Sequence, residues 1–280
     1  MNQISICTIY AKRQLHLQNL VKSLIRSRIH PNELIIVCMD DALPSLPTTP
    51  FKIVATTIET VEGKLPLAEA RSKAAALARG NNLIFLDVDC ICHPDLVGIF
   101  NDCLNQEDAL YQGSIRYLDS DWQHKDWTIE SLEKQSSFHA LQGVEVIGKT
   151  KVLHPHELFW SLCFGIRKKT FMNLGGFDSC FVGYGGEDTD FAFTARDRKI
   201  SCYKISALAY HQYHPSYDPP LNHLSAIVNN ARIFNRKWSI LPMKKWLDRF
   251  VQLGYLRIVN DRMEIIRYPT ALEIEACLKQ

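Results

Sequence analysis

"NLIFLDVDC", Asn82 to Cys90, is an apolar run that stops at two acids, Asp87 and Asp89. A run without polar alternation suits a strand buried on both faces, as in a parallel sheet covered by helices. The acids then fall at the strand's carboxyl end, where open α/β sheets bind their ligands. On an extended segment, residues two apart share a face, which puts Asp87 and Asp89 side by side. Two such carboxylates repel unless a cation sits beside them. Oxygen ligands of this kind suit Mg2+ or Mn2+, which complete their shells with phosphate oxygens. An isolated Asp-x-Asp is as readily a solvated loop or a helix cap; the buried strand before it gives this one weight.

Upstream, the same texture repeats. "ISICTIY" (Ile4–Tyr10) and "ELIIVCMD" (Glu33–Asp40) are apolar strands, and "FKIVATTI" is a third candidate. Between them Leu15, Leu17, Leu20, Val21, Leu24 and Ile25 keep close to helical spacing. "PLAEARSKAAALARG" opens on Pro66 and closes on Gly80, the expected helix punctuation. Alternation of this kind predicts an α/β sandwich with a mostly parallel sheet. Downstream, "ALYQGSIRYLD" reads as a strand and Asp119 to Pro155 as a polar helix-plus-loop insertion. "ELFWSLCFGIRKKTF" reads as a strand running into a short helix, and "KISCYKISALAYH" as strand material ending at His211. After Pro219–Pro220, "LSAIVNNARIFNRKW" is helical, and the next segment predicts a helix and a hairpin over Asn260–Asp261. The tail reads as a small cap with Trp238, Trp246 and Phe250 in its core.

The 280 residues, 46% hydrophobic and 22% charged, support one large core with a small appendage. A net charge of +2 excludes the footprint of a general nucleic-acid binder, and "RKK" at Arg167–Lys169 fits a solvated helix start. The nine cysteines are scattered, several within apolar runs and none as Cys-x-x-Cys, which predicts free thiols in a reducing compartment. No signal peptide is expected, and no apolar run approaches the ~18 residues of a membrane span. The expectation is a cytoplasmic protein, with peripheral association at the inner face of the membrane left open.

Three further constellations carry chemistry. "GGFDSCFVGYGGEDTDFAF", Gly175 to Phe193, combines five glycines with Asp178, Glu187, Asp188 and Asp190. Acids in a first helical turn meet the macrodipole favourably. The glycine pairs additionally permit a tight turn and close approach of a ligand. "YHQYHP" places His211 and His214 after an apolar strand, and imidazole suits borderline ions. "TIYAKR" and "CMDD" follow the first two strands, where loops can hold a base and ribose: Thr8, Tyr10, Arg13 and Asp40 are candidates, with Arg71 on the Ala-rich helix. Neither a dinucleotide-binding Gly-x-Gly-x-x-Gly nor a P-loop occurs. Asp40 as a turn residue and Arg71 on a solvated helix face are the plainer readings.

In their order, these pieces resemble the family-2 glycosyltransferases of the GT-A fold over about residues 3–215. The "GGFD…GYGGED" segment looks like one shared by β-1,4-galactosyltransferases, polypeptide N-acetylgalactosaminyltransferases and chondroitin-type polymerases. The resemblance implies a three-layer α/β/α catalytic domain at 1–215, with a nucleotide-sugar half at 1–105, an acceptor half at 106–215 and an extension at 216–280. It implies inverting, metal-dependent transfer of a hexose or N-acetylhexosamine from a UDP-sugar to a glycan or lipid-linked glycan. Asp40 would contact uracil and Asp87 the ribose, beside Thr8, Tyr10, Arg13, Arg71 and Val88. Asp89 would ligate Mn2+ (or Mg2+), with His211 or His214 as a further ligand and His211 the better match. Asp188 would be the base and Glu187 would hold the acceptor. Gly185, Gly186 and Tyr184, which stands where relatives often carry Trp, would approach the sugar. The alternatives are a nucleotidyl- or phosphoryl-transferring enzyme, and a non-catalytic module that binds UDP or glycan.

Overall fold

The computed structural model describes residues 3–122, 126–139, 146, 148 and 151–279. The first half alternates as the pattern predicts: β1 (Ile4–Tyr10), α1 (Gln14–Ile25), β2 (Glu33–Met39), β3 (Lys52–Ile58), α2 (Leu67–Leu77), β4 (Asn82–Leu86), β5 (Cys90–Cys92) and α3 (Leu96–Gln106). Strands β3, β2, β1 and β4 lie in that order and run parallel. Their period of two sorts side chains into two cores. Ile6, Leu34, Ile36, Ile84 and Leu86 face α1 and α3, meeting Leu17, Leu20, Val97 and Phe100. Cys7, Ile35, Val37, Leu83 and Phe85 face the alanines of α2. This is the three-layer sandwich, and each buried aliphatic side chain contributes about 1.5–3 kcal/mol to it.

"NLIFLDVDC" is not one strand. β4 ends at Leu86, and the Cys90 N–H bonds back to the Asp87 carbonyl at 3.0 Å. Val88, within that turn, is buried in the core and pins it. The chain reverses because β5 must run antiparallel along the far edge of the sheet.

The second half adds β6 (Leu110–Leu118), α4 (Ile129–Lys134), β7 (Ser136–Phe138), β8 (Lys151–Leu153), β9 (Cys163–Arg167), α5 (Lys168–Leu174), α6 (Glu187–Asp197) and β10 (Cys202–His211). The sheet continues β4-β9-β6-β10-β5, with β9 antiparallel to both neighbours and β6 parallel to β10. Strand β7 pairs with β6, and β8 with β10. Part of the predicted insertion, 123–125, 140–145, 147 and 149–150, lies outside the described residues.

The extension comprises β11 (Ser216–Tyr217), α7 (Leu224–Trp238), α8 (Lys244–Gln252), β12 (Leu256–Val259), β13 (Arg262–Ile265), α9 (Ala271–Glu275) and β14 (Leu278–Lys279). The β12–β13 hairpin turns over Asn260 and Asp261, both at positive φ (48° and 60°), as a two-residue hairpin turn favours. Leu224, Val228, Ala231, Leu247 and Phe250 form a core of its own. Helix α7 also reaches the main domain, where Phe234 joins the α2-side core and Trp238 packs against it. Trp246, partly buried like Trp238, packs against the extension's core, and Phe250 is fully within it. All nine cysteines are free. Among the described residues no helix is long and apolar enough to cross a membrane.

Candidate active site

Two motifs a hundred residues apart in sequence meet across one guanidinium. Arg71 of α2 donates to Asp87 Oδ1 at 3.0 Å and to Glu187 Oε1 at 3.2 Å. Arg71 is buried, so the solvated-face alternative is excluded, and both terminal nitrogens are taken by protein carboxylates. Burial drives the Asp87 carboxyl above its usual range; Arg71 opposes that and Asp89 adds to it.

Asp89 takes partners different from those of Asp87, because the segment is a turn and not a continued strand. Its carbonyl accepts from the Gln212 N–H at 2.7 Å, and Cys90 pairs with His211 in the ladder between β5 and β10. That ladder delivers two imidazoles. His211 Nε2 lies 3.5 Å from Asp89 Oδ1, and His214 Nε2 lies 3.5 Å from Asp89 Oδ2. Ligand atoms of the three residues lie within 4.8 Å of one another. Asp89 Oδ2 also pairs with Arg13. Although buried, Asp89 Oδ1 has no hydrogen-bond partner among the described residues. One carboxylate with an unsatisfied oxygen and two imidazoles fit a borderline divalent cation. Burial alone would raise the Asp89 carboxyl, but His211, His214 and Arg13 hold it well below the usual range.

Sequence reasoning kept His211 and His214 as alternatives; the structure brings both to Asp89. It missed the support behind them. Gln212 is fully buried and donates from Nε2 to the His16 carbonyl at 3.1 Å. Its Oε1 accepts from Asn19 at 2.8 Å, and Asn19 accepts from Trp127 Nε1 at 3.0 Å. A polar residue between two histidines at a strand end was the available signal.

The glycine-rich segment splits into two devices. Gly175 and Gly176 terminate α5: their N–H groups bond to the Met172 and Phe171 carbonyls, both at 3.1 Å, with φ of 89° and 70°. Gly185 and Gly186, at φ of 98° and 89°, turn the chain into α6 so that Glu187 and Asp188 stand in its first turn. Phe177, Phe181, Phe191 and Phe193 are buried core, with Phe177 stacked on Phe191 at 4.5 Å, and so do not line a cleft. Tyr184 is the exception at 41% exposure. The atom that a Cβ on Gly185 would meet is Met243 Sδ, at 2.5 Å, so the close approach at Gly185 is by the extension. Burial, and then Glu187 beside it, push the Asp188 carboxyl up to about 7. Glu187 Oε2 is buried without a hydrogen-bond partner among the described residues.

The nucleotide candidates separate. Thr8 lies buried on β1, its Oγ1 unpartnered among the described residues. Tyr10 is packed in the α1-side core, with burial and Asp41 raising its phenol, so its ring is not presented to a base. Val88 likewise turns its side chain inward. Asp40 is exposed at the end of β2 with φ of 47°; hydrogen bonds from the Thr60 hydroxyl and N–H (3.0 Å) lower its carboxyl. The Lys12 N–H donates to Asp41 at 2.6 Å, tying together the loops after β1 and β2.

Comparison with known proteins agrees with the fold. The solved structure of S. aureus TarS residues 1–349 superposes with a TM-score of 0.53 at 10% identity, covering 96% of this chain and 97% of that one, a likeness of fold alone. No curated protein matches in sequence. Residues 144–215, which hold the glycine-rich segment and both histidines, match a family described as the N-terminal domain of galactosyltransferase. Residues 5–175, more than half of the chain, match the glycosyl transferase family 2, and the chain belongs to that family.

Proposed function

We propose that the protein is an inverting glycosyltransferase moving a hexose or N-acetylhexosamine from a UDP-sugar to a hydroxyl of a glycan or lipid-linked glycan. The observation that carries this is the convergence at Arg71, which sets the Asp87–Asp89 turn facing the Glu187–Asp188 helix start. Residues 1–105 are the nucleotide-sugar half, 106–215 the acceptor half and 216–280 an extension. Family membership supports sugar transfer over nucleotidyl transfer, and the paired acids at Glu187–Asp188 favour catalysis over a purely binding role.

Asp89, His211 and His214 would hold Mn2+ or Mg2+, which stabilises charge on the departing diphosphate. Asp87, Asp40, Thr8 and Arg13 sit on the donor side, at or beside the carboxyl edge of the sheet. Asp188 accepts the proton of the attacking hydroxyl. A carboxylate poised near 7 is ionised enough to act and basic enough to take a proton. Glu187 Oε2, buried and free to accept, orients that hydroxyl or its neighbour. Tyr184 presents an exposed ring beside them.

The test is UDP release from UDP-galactose, UDP-glucose and their N-acetylamino counterparts, with Mn2+ and with EDTA. Mn2+-dependent release from at least one donor is expected, and its loss in Asp188→Asn with UDP binding retained. Equal turnover by Asp188→Asn overturns the assignment of the base.

A further inference from the structure

Gly185 and Gly186 leave the turn before Asp188 with the least intrinsic restraint in the site. A proton-accepting group must nevertheless be held within a fraction of an ångström. We infer that the extension supplies this restraint and that Asn230 of α7 is a positioning residue for the catalytic base, an inference resting on the role proposed for Asp188.

Asn230 is 1% exposed, and its Nδ2 donates to the Gly185 carbonyl at 2.8 Å and the Tyr184 carbonyl at 3.4 Å. These are the last carbonyls before the turn enters α6. Asn230 belongs to a stripe with His223, Ala226, Ile227 and Phe234 at helical spacing, all turned toward the glycine-rich segment. A Cβ on Gly183 would meet that of Ala226 at 2.8 Å, and one on Gly185 would meet Ile227 at 3.7 Å as well as Met243. The Tyr184 ring stacks on His223 at 4.8 Å, with Trp246 of α8 at 5.7 Å. Within the same first turn of α6, Asp190 accepts from Trp238 Nε1 at 2.7 Å and Lys237 Nζ at 2.9 Å. The extension thus grips the segment before and after Glu187–Asp188. Burial of the tail needs only apolar contact; a buried amide aimed at two loop carbonyls fixes where the loop's next residues point.

The test compares wild type with Asn230→Asp, which sets a carboxylate against both carbonyls, and Asn230→Leu, which removes the donors. Melting curves confirm the fold, and Asn230→Ser replaces either variant that fails to fold. Hydrogen exchange at residues 183–188 should accelerate, with β4 and β10 unchanged. In UDP release, kcat should fall about tenfold to a hundredfold. Mn2+-dependent UDP binding should stay within about twofold, because the groups proposed to hold the nucleotide and the cation are untouched. Unchanged exchange at 183–188, unchanged kcat, or UDP binding that falls in step with kcat overturns the inference. Wild type that binds UDP but turns over no donor sinks the proposed function instead, and the exchange measurement still decides the role of Asn230.

Discussion

The raised carboxyl of Asp188, proposed above as the base, costs the fold stability. It is raised by burial and by Glu187, so the folded chain holds the proton up to about pH 7, whereas the unfolded chain releases it near the ordinary carboxylate value. The associated stability is therefore fully present below about pH 4 and is lost as pH rises toward 7. Asp188→Asn removes that loss. It should melt above wild type, by a margin that widens from pH 4 to 7 and is constant beyond, at about 1.4 kcal/mol per pKa unit as an upper bound. With the base role proposed for Asp188, the same variant should lose about a hundredfold or more in turnover, the usual worth of a general base. Wild-type kcat should rise with pH through about 7, since only the ionised carboxylate accepts a proton. A pH-independent melting difference, or turnover flat from pH 5 to 8, contradicts this account. At this scale the acids were legible in the sequence because motif and position coincide. Their partners were not: Arg13 and Arg71 meet Asp89, Asp87 and Glu187 only through the fold, and nothing local to an arginine tells a buried bridge from a solvated face.

Helix α2 shows how an element can carry a site with one side chain. Its alanines let it lie close on the sheet, and Arg71 rises from it between Asp87 and Glu187. Arg71→Met leaves buried Glu187 and half-buried Asp87 without their cation, a defect that costs up to about 3–5 kcal/mol. In a chain of this size that is a fall of roughly 10 °C in Tm. The loss should be smaller at pH 5 than at pH 8, because Asp87, whose carboxyl is already raised, is the more readily protonated once its cation is gone. Arg71→Lys should recover only part, since one ammonium cannot span two carboxylates as a guanidinium does. A Met variant as stable as wild type at pH 8 would mean that the bridge is not what holds the two motifs together. Strand and helix identities were legible from period and punctuation. The break of β4 at Leu86 was not, because an unbroken apolar–acid run looks the same whether it continues or turns. Only the antiparallel pairing of β5 with β10 requires the reversal. The antiparallel sense of β9 was equally hidden, since "CFGIR" is apolar enough for either direction.

The whole molecule assembles its candidate metal-ligand set from distant parts: Asp89 from the turn after β4, His211 from the end of β10 and His214 from the loop that follows. The unfolded chain cannot present these groups together, so a cation that binds them stabilises the fold by mass action. At a hundredfold excess over Kd this amounts to about 2.7 kcal/mol. For a chain of this size Tm should rise roughly 5–10 °C with Mn2+ and return with EDTA. Asp89→Ala should abolish the rise, and His211→Ala and His214→Ala should each shrink it. The two histidines carry different weight in this test. His211 is legible as a strand-end residue, whereas His214 gains its place from the loop held by Gln212, Asn19 and Trp127. If His214→Ala keeps the full Mn2+ shift while His211→Ala loses it, His214 serves as a hydrogen-bond partner of Asp89 and the ligand set is Asp89 with His211 alone. A full shift in both variants would move the cation away from Asp89 altogether. Adding UDP should enlarge the Mn2+ shift in wild type but not in Asp89→Ala, because the diphosphate completes the shell only of a cation already held there.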